Sequence, residues 1–355
     1  YGNVPINHYT GGLSVDIPIY EYKDNDIRIP ISVGYASDGL RPNQRAGILG
    51  AGWFLNAGGV ITRELRGIPD ESYSVAYDID PDDDLALGFD YSNWGYLYVH
   101  KRSEGLLWYY GYKDEIVYHY GNMEKAEITP DIFHFNFLGY RGSFMLGPVD
   151  GQVVAFNTNN PEIKVKVNST LSTTTSDMWF EITTGDGYIY MFGERMTSRE
   201  YTEIVNPSSS EIYYEELPDG IEAQQSHPTA WHLEKIKIPN GRSVEFEYYG
   251  YDTDFDYYEQ DSGDIDHNAL KFITRYSPSA YRETFVSQWG YQYTREDNDI
   301  MRSAVKPRYL KSITIADTNI EFSYSRKYPA ETVPGTDVLM RIPQLQKISV
   351  TALWY

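Results

Sequence analysis

Five times along this chain a turn signal is flanked on both sides by residues that alternate between apolar and polar. Side chains of a strand point to opposite faces with period two, so a hairpin register is acceptable only when both arms turn their apolar residues the same way. In the first, Leu13, Val15, Ile17 and Ile19 alternate, as do Ile27, Ile29, Ile31, Val33 and Tyr35. A three-residue loop at Asp24-Asn25-Asp26 then sets Ile19 against Ile31, Ile17 against Val33 and Val15 against Tyr35. Pro18 and Pro30 fall on the other face and lack a donor, which places this pair near a sheet edge.

The other four follow the same logic. A four-residue loop Gly139–Gly142 sets Phe137 against Phe144 and Phe135 against Leu146, and a three-residue loop Gly185–Gly187 sets Ile182 against Tyr190 and Phe180 against Phe192. At Pro239-Asn240-Gly241 the proline suits the φ of a type I turn and the glycine suits the left-handed residue after it. That loop pairs Ile236 with Val244 and Lys235 with Glu245; Ile238 and Phe246 join the oily side, Lys237 and Glu247 the charged side. Finally, a four-residue loop Ala316–Asn319 places Ile315 opposite Ile320 and Ile313 opposite Phe322. Each unit has one apolar face that it cannot bury alone, so the units must stack or share one curled sheet.

The fold class expected is therefore all-β: successive antiparallel hairpins forming an extended or curled sheet or a stacked β-sandwich, with little helix. The 34 tyrosines favour pleated, half-buried surfaces, and no long window carries the i, i+3, i+4, i+7 pattern of an amphipathic helix. Three regions are expected: a Gly/Trp-rich hairpin segment over 1–69, an inserted aromatic small sheet over 70–127, and the hairpin ladder over 128–355. Polar stretches at about 195–228 and 252–305 are read as surface excursions of the ladder. Within the insertion, an acidic run from Asp78 to Asp84 precedes three aromatic segments, 94–99, 106–110 and 116–120, read as short strands.

Between the first hairpin and the insertion lies Gly47-Ile-Leu-Gly-Ala-Gly-Trp-Phe-Leu-Asn-Ala-Gly-Gly-Val-Ile-Thr-Arg63, whose glycines allow a tight fold-back over Trp53 before a strand at 60–65. With Ile17-Pro18-Ile19 and Pro30-Ile31-Ser32 ahead of it, this stretch resembles the opening segment of the Rhs/YD-repeat proteins of Gram-negative bacteria, relatives of the shell-forming toxin-complex proteins. Further elements are similar to that family: Phe133-His-Phe-Asn-Phe137 with Gly139 and Gly142-Ser-Phe144, Ile182-Thr-Thr-Gly-Asp-Gly-Tyr-Ile-Tyr190 with Phe192-Gly193, and Thr229-Ala-Trp231 leading to Pro239-Asn-Gly241. The repeat that defines the family is missing; Tyr251-Asp252 is a lone dipeptide. The resemblance implies the region upstream of the repeats: a non-catalytic module that caps or begins a β-shell carrying a C-terminal effector. Its implied partners are its own downstream repeat region and that effector.

The net charge of −21 opposes nucleic acid and anionic membrane surfaces as partners. No run of 18 apolar residues occurs, so no helical membrane insertion is expected. The chain opens at Tyr1 and stops inside a strand-like run at 349–355, which reads as a trimmed piece of a longer secreted or outer-surface protein whose signal sequence is out of view. With no cysteine there is no thiolate chemistry.

No catalytic, cofactor or metal residues are assigned. Gly47, Gly50 and Gly52 lack the βαβ setting of a nucleotide loop, and neither a Gly-x-Ser-x-Gly elbow nor a His-Glu-x-x-His motif occurs. His232, beside Trp231 in a strand, reads as a satisfied core or edge residue. The alternating carboxylates Asp78, Asp80, Asp82 and Asp252, Asp254, Asp256 lack the glycine and glutamate that complete a calcium loop. Two alternatives to a scaffold are carried forward. An adhesin or glycan-binding module would stack a surface glycan on Trp94, Trp108, Tyr109 or Tyr110, and a glycoside hydrolase would need two of the 51 acidic residues brought together.

Overall fold

The computed structural model describes residues 12–37, 47–66, 69–71, 76–78, 88–90, 95–97, 129–149, 152–157, 160–168, 178–205, 227–249, 271–276, 281–286, 292–297, 300–325, 331–332, 339–340 and 343–352. They form an all-β protein. The strands in chain order are β1 (Leu13–Lys23), β2 (Arg28–Ser37), β3 (Trp53–Ala57), β4 (Gly59–Glu64), β5 (Ala76–Asp78), β6 (Gly88–Asp90), β7 (Ile132–Phe137) and β8 (Tyr140–Val149). Next come β9 (Gln152–Asn157), β10 (Lys164–Asn168), β11 (Trp179–Thr183), β12 (Ile189–Phe192), β13 (Arg199–Val205), β14 (His227–Lys237), β15 (Ser243–Tyr248) and β16 (Lys271–Tyr276). The last are β17 (Tyr281–Val286), β18 (Gln292–Asp297), β19 (Ile300–Lys306), β20 (Leu310–Ile315), β21 (Thr318–Ser325), β22 (Glu331–Thr332), β23 (Leu339–Met340) and β24 (Gln344–Ala352). Helix among the described residues is confined to the 3-10 turn Met196–Ser198 and to Tyr96–Leu97.

Strand β14 organises the molecule because it belongs to two layers. Its first half, His227–His232, pairs with β13 on one side and β4 on the other, whereas its second half pairs with β12 and β15. One wing therefore reads β9-β8-β7-β4-β14-β13-β19-β16, and the other β10-β11-β12-β14-β15-β20-β21-β24. The wings turn their apolar faces toward each other. Phe133 and Phe144 of the first stand 5.5 and 5.3 Å from Phe180 of the second, and Phe137 stands 5.3 Å from Phe192 and 4.6 Å from Tyr190. Trp231 lies fully buried on the shared strand, 5.6 Å from Phe133 and 5.0 Å from Phe180, with its Nε1–H donated to the Met178 carbonyl at 2.7 Å. Burying each such ring stabilises by about 1.5–3 kcal/mol, so this aromatic seam is the main force closing the sandwich.

A separate three-stranded sheet, β1-β2-β3, adds Ile27, Ile29 and Ile31 to the same core. Gly58, at φ 92°, passes the chain from β3 to β4; an added Cβ there would lie 3.0 Å from the Phe246 ring. Gly50 and Gly52 also take positive φ, so the expected fold-back before Trp53 is present. The pairs β5–β6, β17–β18 and β22–β23 stand as two-stranded ribbons.

The registers of two hairpins hold throughout: Ile182 faces Tyr190 and Phe180 faces Phe192, while Ile236 faces Val244 and Lys235 faces Glu245. Three others need correction. In the β7–β8 hairpin the loop is only Leu138-Gly139, so Phe137 faces Tyr140 and Phe133 faces Phe144. Leu138 and Gly139 both take positive φ, 42° and 90°, the primed geometry that matches strand twist. Gly142 is thus a strand residue, where an added Cβ would meet Cζ of Phe135 at 2.4 Å. In the β20–β21 hairpin the loop is Ala316-Asp317, with Ala316 at φ 50°, so Ile313 faces Ile320.

The third correction concerns β1–β2. Val15 faces Tyr35 and Ile17 faces Val33 as expected, but a bulge at Ile19 puts Tyr20 opposite Ile31 and Tyr22 opposite Ile29. Pro18 cannot donate to the ladder, and the interruption falls beside it. Ile17 and Ile19 stay 42% and 50% exposed, so the apolar face of β1 is not closed along its length.

The polar stretches at 195–228 and 252–305 contain strands of their own, β13 and β16–β19, and β13 pairs both β14 and β19. Of the aromatic strands expected at 94–120, only Gly95–Leu97 is described, and it is not strand; the remainder lies outside the described residues.

Candidate functional site

Three clusters of charged side chains and one groove account for the chemistry near the core. The first cluster centres on Arg63, which alternation places on the same face of β4 as the buried Ile61. A guanidinium withdrawn from water must be fully paired. Arg63 donates to both oxygens of Glu71 (2.8 and 2.5 Å) and through Nε to Asp131 Oδ2 (2.7 Å), with its carbon 5.4 Å from the Phe133 ring centroid. Asp131 also accepts the backbone N–H of Arg66 (2.7 Å) and of Asp70 (3.2 Å), and its own N–H donates to the Asp70 carboxylate at 3.1 Å. Residues 70 and 131 flank the insertion, so this exchange ties its entry to its exit. Leu97, fully buried, donates its N–H to the Asp70 carbonyl at 3.0 Å and brings part of the insertion back onto the clasp.

Asp70 and Glu71 lie in the field of the same guanidinium, and their carboxyls shift in opposite directions. Burial, followed by the charge of Asp131, pushes the Asp70 carboxyl up to about 8. Burial also works to raise Glu71, but the charge and hydrogen bonds of Arg63 outweigh it and its carboxyl is lowered.

The second cluster lies where β13 and β14 meet. Glu234 accepts from Arg195 N–H (2.8 Å), Arg195 Nε (2.5 Å) and Ser198 Oγ (2.9 Å). Beside it, Glu200 holds His232 Nε2 at 3.0 Å and the Arg308 N–H at 3.2 Å, and the His232 ring stands 5.1 Å from Tyr248. Burial raises the Glu200 carboxyl, yet the hydrogen bond and charge of His232 hold it low. Serine, histidine and acids are near neighbours, but their pairing differs from that of a nucleophile. Ser198 is hydrogen-bonded to Glu234 and to the Arg195 carbonyl, and His232 is held by Glu200. His232 lies half-buried on the strand that both wings share, bonded to Glu200.

The third cluster joins sheet to sheet at the rim. Arg242, just past the β14–β15 turn, donates to Asp24 at 2.6 Å and Asp26 at 2.8 Å, and Asn240 Nδ2 donates to Asp26 at 2.8 Å. Tyr188, at the end of the β11–β12 turn, donates to the Asp26 carbonyl. Burial opposes ionisation of Asp24, but the N–H of Ile27 and the Arg242 guanidinium prevail and lower its carboxyl. The tip of the β1–β2 hairpin is thereby seated on two turns of the second wing.

A shallow groove of about 500 Å³ crosses β15, β20 and β21 on their outer face. Its polar groups are spent on each other: Ser312 on Glu247 (3.3 Å), Thr314 on Asn319 (3.2 Å), Asn319 on Glu321 (3.0 Å). No histidine lines it. Among the described residues no group of histidine and acid side chains is arranged to hold a metal ion. Trp94, Trp108, Tyr109, Tyr110, the acids at 80 and 82 and those at 252, 254 and 256 lie outside the described residues.

Sequence reasoning missed the Arg63 clasp. The signal was present: period-two alternation from Ile61 puts a charge on the buried face, which demands acids elsewhere in the chain.

No family model matches this chain, and no curated protein matches it. Solved structures do. The TcdB2-TccC3 structure is similar over 98% of this chain at 12% identity and a TM-score of 0.42, and this chain spans 14% of that one. The N-terminal domain of effector protein SpvB from Salmonella typhimurium strain LT2 is similar over 96% of this chain and 99% of its own, at 11% identity and a TM-score of 0.31. Likenesses of this strength assign no activity. No helix among the described residues is long and apolar enough to cross a membrane.

Proposed function

We infer that this chain is a non-catalytic structural module of a secreted or surface Rhs-like protein, one that begins or caps a larger β-shell enclosing a C-terminal effector. The observation that carries the reading is the free end of the second wing. β24 closes that wing with Ile348 opposite Phe322 and Val350 opposite Ile320, so it continues the apolar inner face, yet Val350 remains 45% exposed. Beyond the bond from the Leu345 N–H to the Ile48 carbonyl (2.9 Å), no further strand pairs with β24 among the described residues. A sheet that ends with its oily side half covered is suited to extension by the next strand of the same shell. The roles of the titratable clusters support the same reading, since each binds one segment of the scaffold to another.

Hydrogen exchange tests it. The β24 amides that point away from β21 should exchange quickly in isolation and become protected when the downstream region is present in the same polypeptide. Equal exchange in both would remove the basis for the reading, as would turnover of any substrate in a polysaccharide panel.

A further inference from the structure

The outer face of the β1-β2-β3 sheet sets an exposed aromatic ring beside hydrogen-bonding groups that are already fixed. Register places Asp16, Gly34 and Phe54 in one row across the sheet and Pro18, Ser32 and Asn56 in the next. Alternation turns all six away from the core that Ile29 and Ile31 enter. In the first row the glycine leaves space that Phe54 uses. A Cβ on Gly34 would lie 2.4 Å from Cζ of Phe54 and 2.5 Å from Cε2, so the ring leans across β2 instead of standing off the sheet. Phe54 is nonetheless 43% exposed, so the side of the ring away from the backbone meets water.

The second row carries a polar arch. Ser32 Oγ donates to Asp16 Oδ1 at 2.6 Å, and Asn56 Nδ2 reaches across β2 to the same oxygen at 3.1 Å and to Ser32 Oγ at 3.3 Å. Asp16 and Asn56 are exposed, and Ser32 is buried beneath them. Asp16 Oδ2 and Asn56 Oδ1 take no part in these bonds, so two acceptors remain on side chains that the arch holds in place.

We propose that this face binds a neutral pyranose of a glycan, whose C–H face stacks on Phe54 and whose hydroxyls donate to Asp16 Oδ2 and Asn56 Oδ1. A sugar ring has an apolar face and a rim of hydroxyl donors, and the two rows answer one each. They lie about 7 Å apart along the strands, within the span of one ring and its hydroxyls. The arch forms without the ligand, so little further ordering is needed on binding. The Asp16 carboxylate repels an acidic sugar, and the net charge of −21 adds to that. Size argues against a globular protein as occupant. A stable pair buries roughly 1,200–2,000 Å², and Phe54 is the one large apolar side chain of the two rows. Binding without turnover leaves the scaffold role of the chain intact.

The test is affinity electrophoresis of the intact chain through gels containing hydroxyethylcellulose, mannan or galactan, with polygalacturonate as the acidic control. At least one neutral polysaccharide should retard the chain, and polygalacturonate should not. Phe54→Ala and Asp16→Ala should each weaken that retardation about tenfold or more. Both side chains are exposed, so their melting curves should stay close to wild type. Gly34→Ala is the sharper variant, because its methyl group lifts the ring tip off β2 while Phe54 itself remains. A stacking platform then loses binding, whereas a merely greasy patch keeps it. Ile17→Ala, on the opposite face of β1, should bind as wild type does. No retardation in any of the three neutral gels, or retardation unchanged in Phe54→Ala or Gly34→Ala, overturns the site. Equal retardation by polygalacturonate overturns the choice of a neutral sugar.

Discussion

Arg63 and Arg242 each gather carboxylates from segments distant in sequence, the first inside the sandwich and the second at its rim. Their hydrogen-bond lengths are alike, 2.5–2.8 Å at Arg63 and 2.6–2.8 Å at Arg242. Their surroundings are not. The Arg63 side chain is fully buried among acids that are themselves buried, whereas the Arg242 side chain is 36% exposed. Water can take the place of either partner at the rim and of none inside, so equal geometry must translate into unequal dependence. The inner cluster fixes where the insertion leaves and rejoins the sheet; the outer one orients a hairpin tip that isoleucines already hold.

The largest effect should come from Arg63→Met. It leaves Asp70, Glu71 and Asp131 buried without their cation and should cost about 3–5 kcal/mol in urea denaturation at pH 7. A loss below about 1 kcal/mol would mean that water reaches the clasp and the contrast with the rim is false.

Asp70 sharpens the same contrast through pH. Folding raises its carboxyl from 3.8 to about 8, so the native state holds a proton that the unfolded chain has released. This contribution is full below about pH 4 and drains away as the pH climbs through about 8. Glu71 has the opposite sign: its carboxyl is lowered on folding, and its contribution is lost in acid. Asp70→Asn keeps an acceptor for the Asp131 N–H but has nothing to titrate. It should match wild type below about pH 4 and exceed it by about 1–3 kcal/mol at pH 8. Parallel stability curves for the two proteins would show that Asp70 is ionised in the native state.

The turn that carries Arg242 separates backbone from charge at the rim. Gly241 takes φ 91° with nothing within 4 Å of an added Cβ, so Gly241→Val introduces conformational strain without a clash. We expect a loss of about 1–3 kcal/mol. A wild-type melting point would mean that the turn relaxes freely.

That turn also shows why parts of the fold were legible in the sequence. Pro239, Asn240 and Gly241, like Gly185 and Gly187, advertise their conformation chemically, and both registers follow. Leu138 and Ala316 advertise nothing: each is a non-glycine residue at positive φ that tertiary pairing forces into a two-residue turn. Counting to the next visible signal gave loops of four. The slips were even, two residues in β20–β21 and four in β7–β8, so every side chain kept its face and the core was named correctly although its partners were not. The β1 bulge was an odd slip, and there Ile19 fell out of the core face. Arg63 was hidden differently, because alternation revealed its position but not Glu71 or Asp131, which only the fold brings together. Ala316→Gly should relieve the strained turn and stabilise by about 0.5–1 kcal/mol; no gain would place the strain elsewhere.

Arg242→Ala should give the smallest change. Asp24 keeps the N–H groups of Asp26 and Ile27, both at 2.8 Å, and Tyr22 Oη at 3.0 Å, so the hairpin tip retains its internal bonds when the guanidinium is gone. Ile29 and Ile31 stay in the core and hold β2 whatever happens at the rim. The remaining effect is a screened surface attraction, which about 1 M salt, with a Debye length of about 3 Å, should erase. Melting curves of Arg242→Ala and wild type should therefore differ slightly at low salt and coincide at high salt. If the variant instead unfolds as readily as Arg63→Met and salt makes no difference, the hairpin tip is as integral to the core as the clasp, and exposure is a poor guide to which of the two arginines the fold needs.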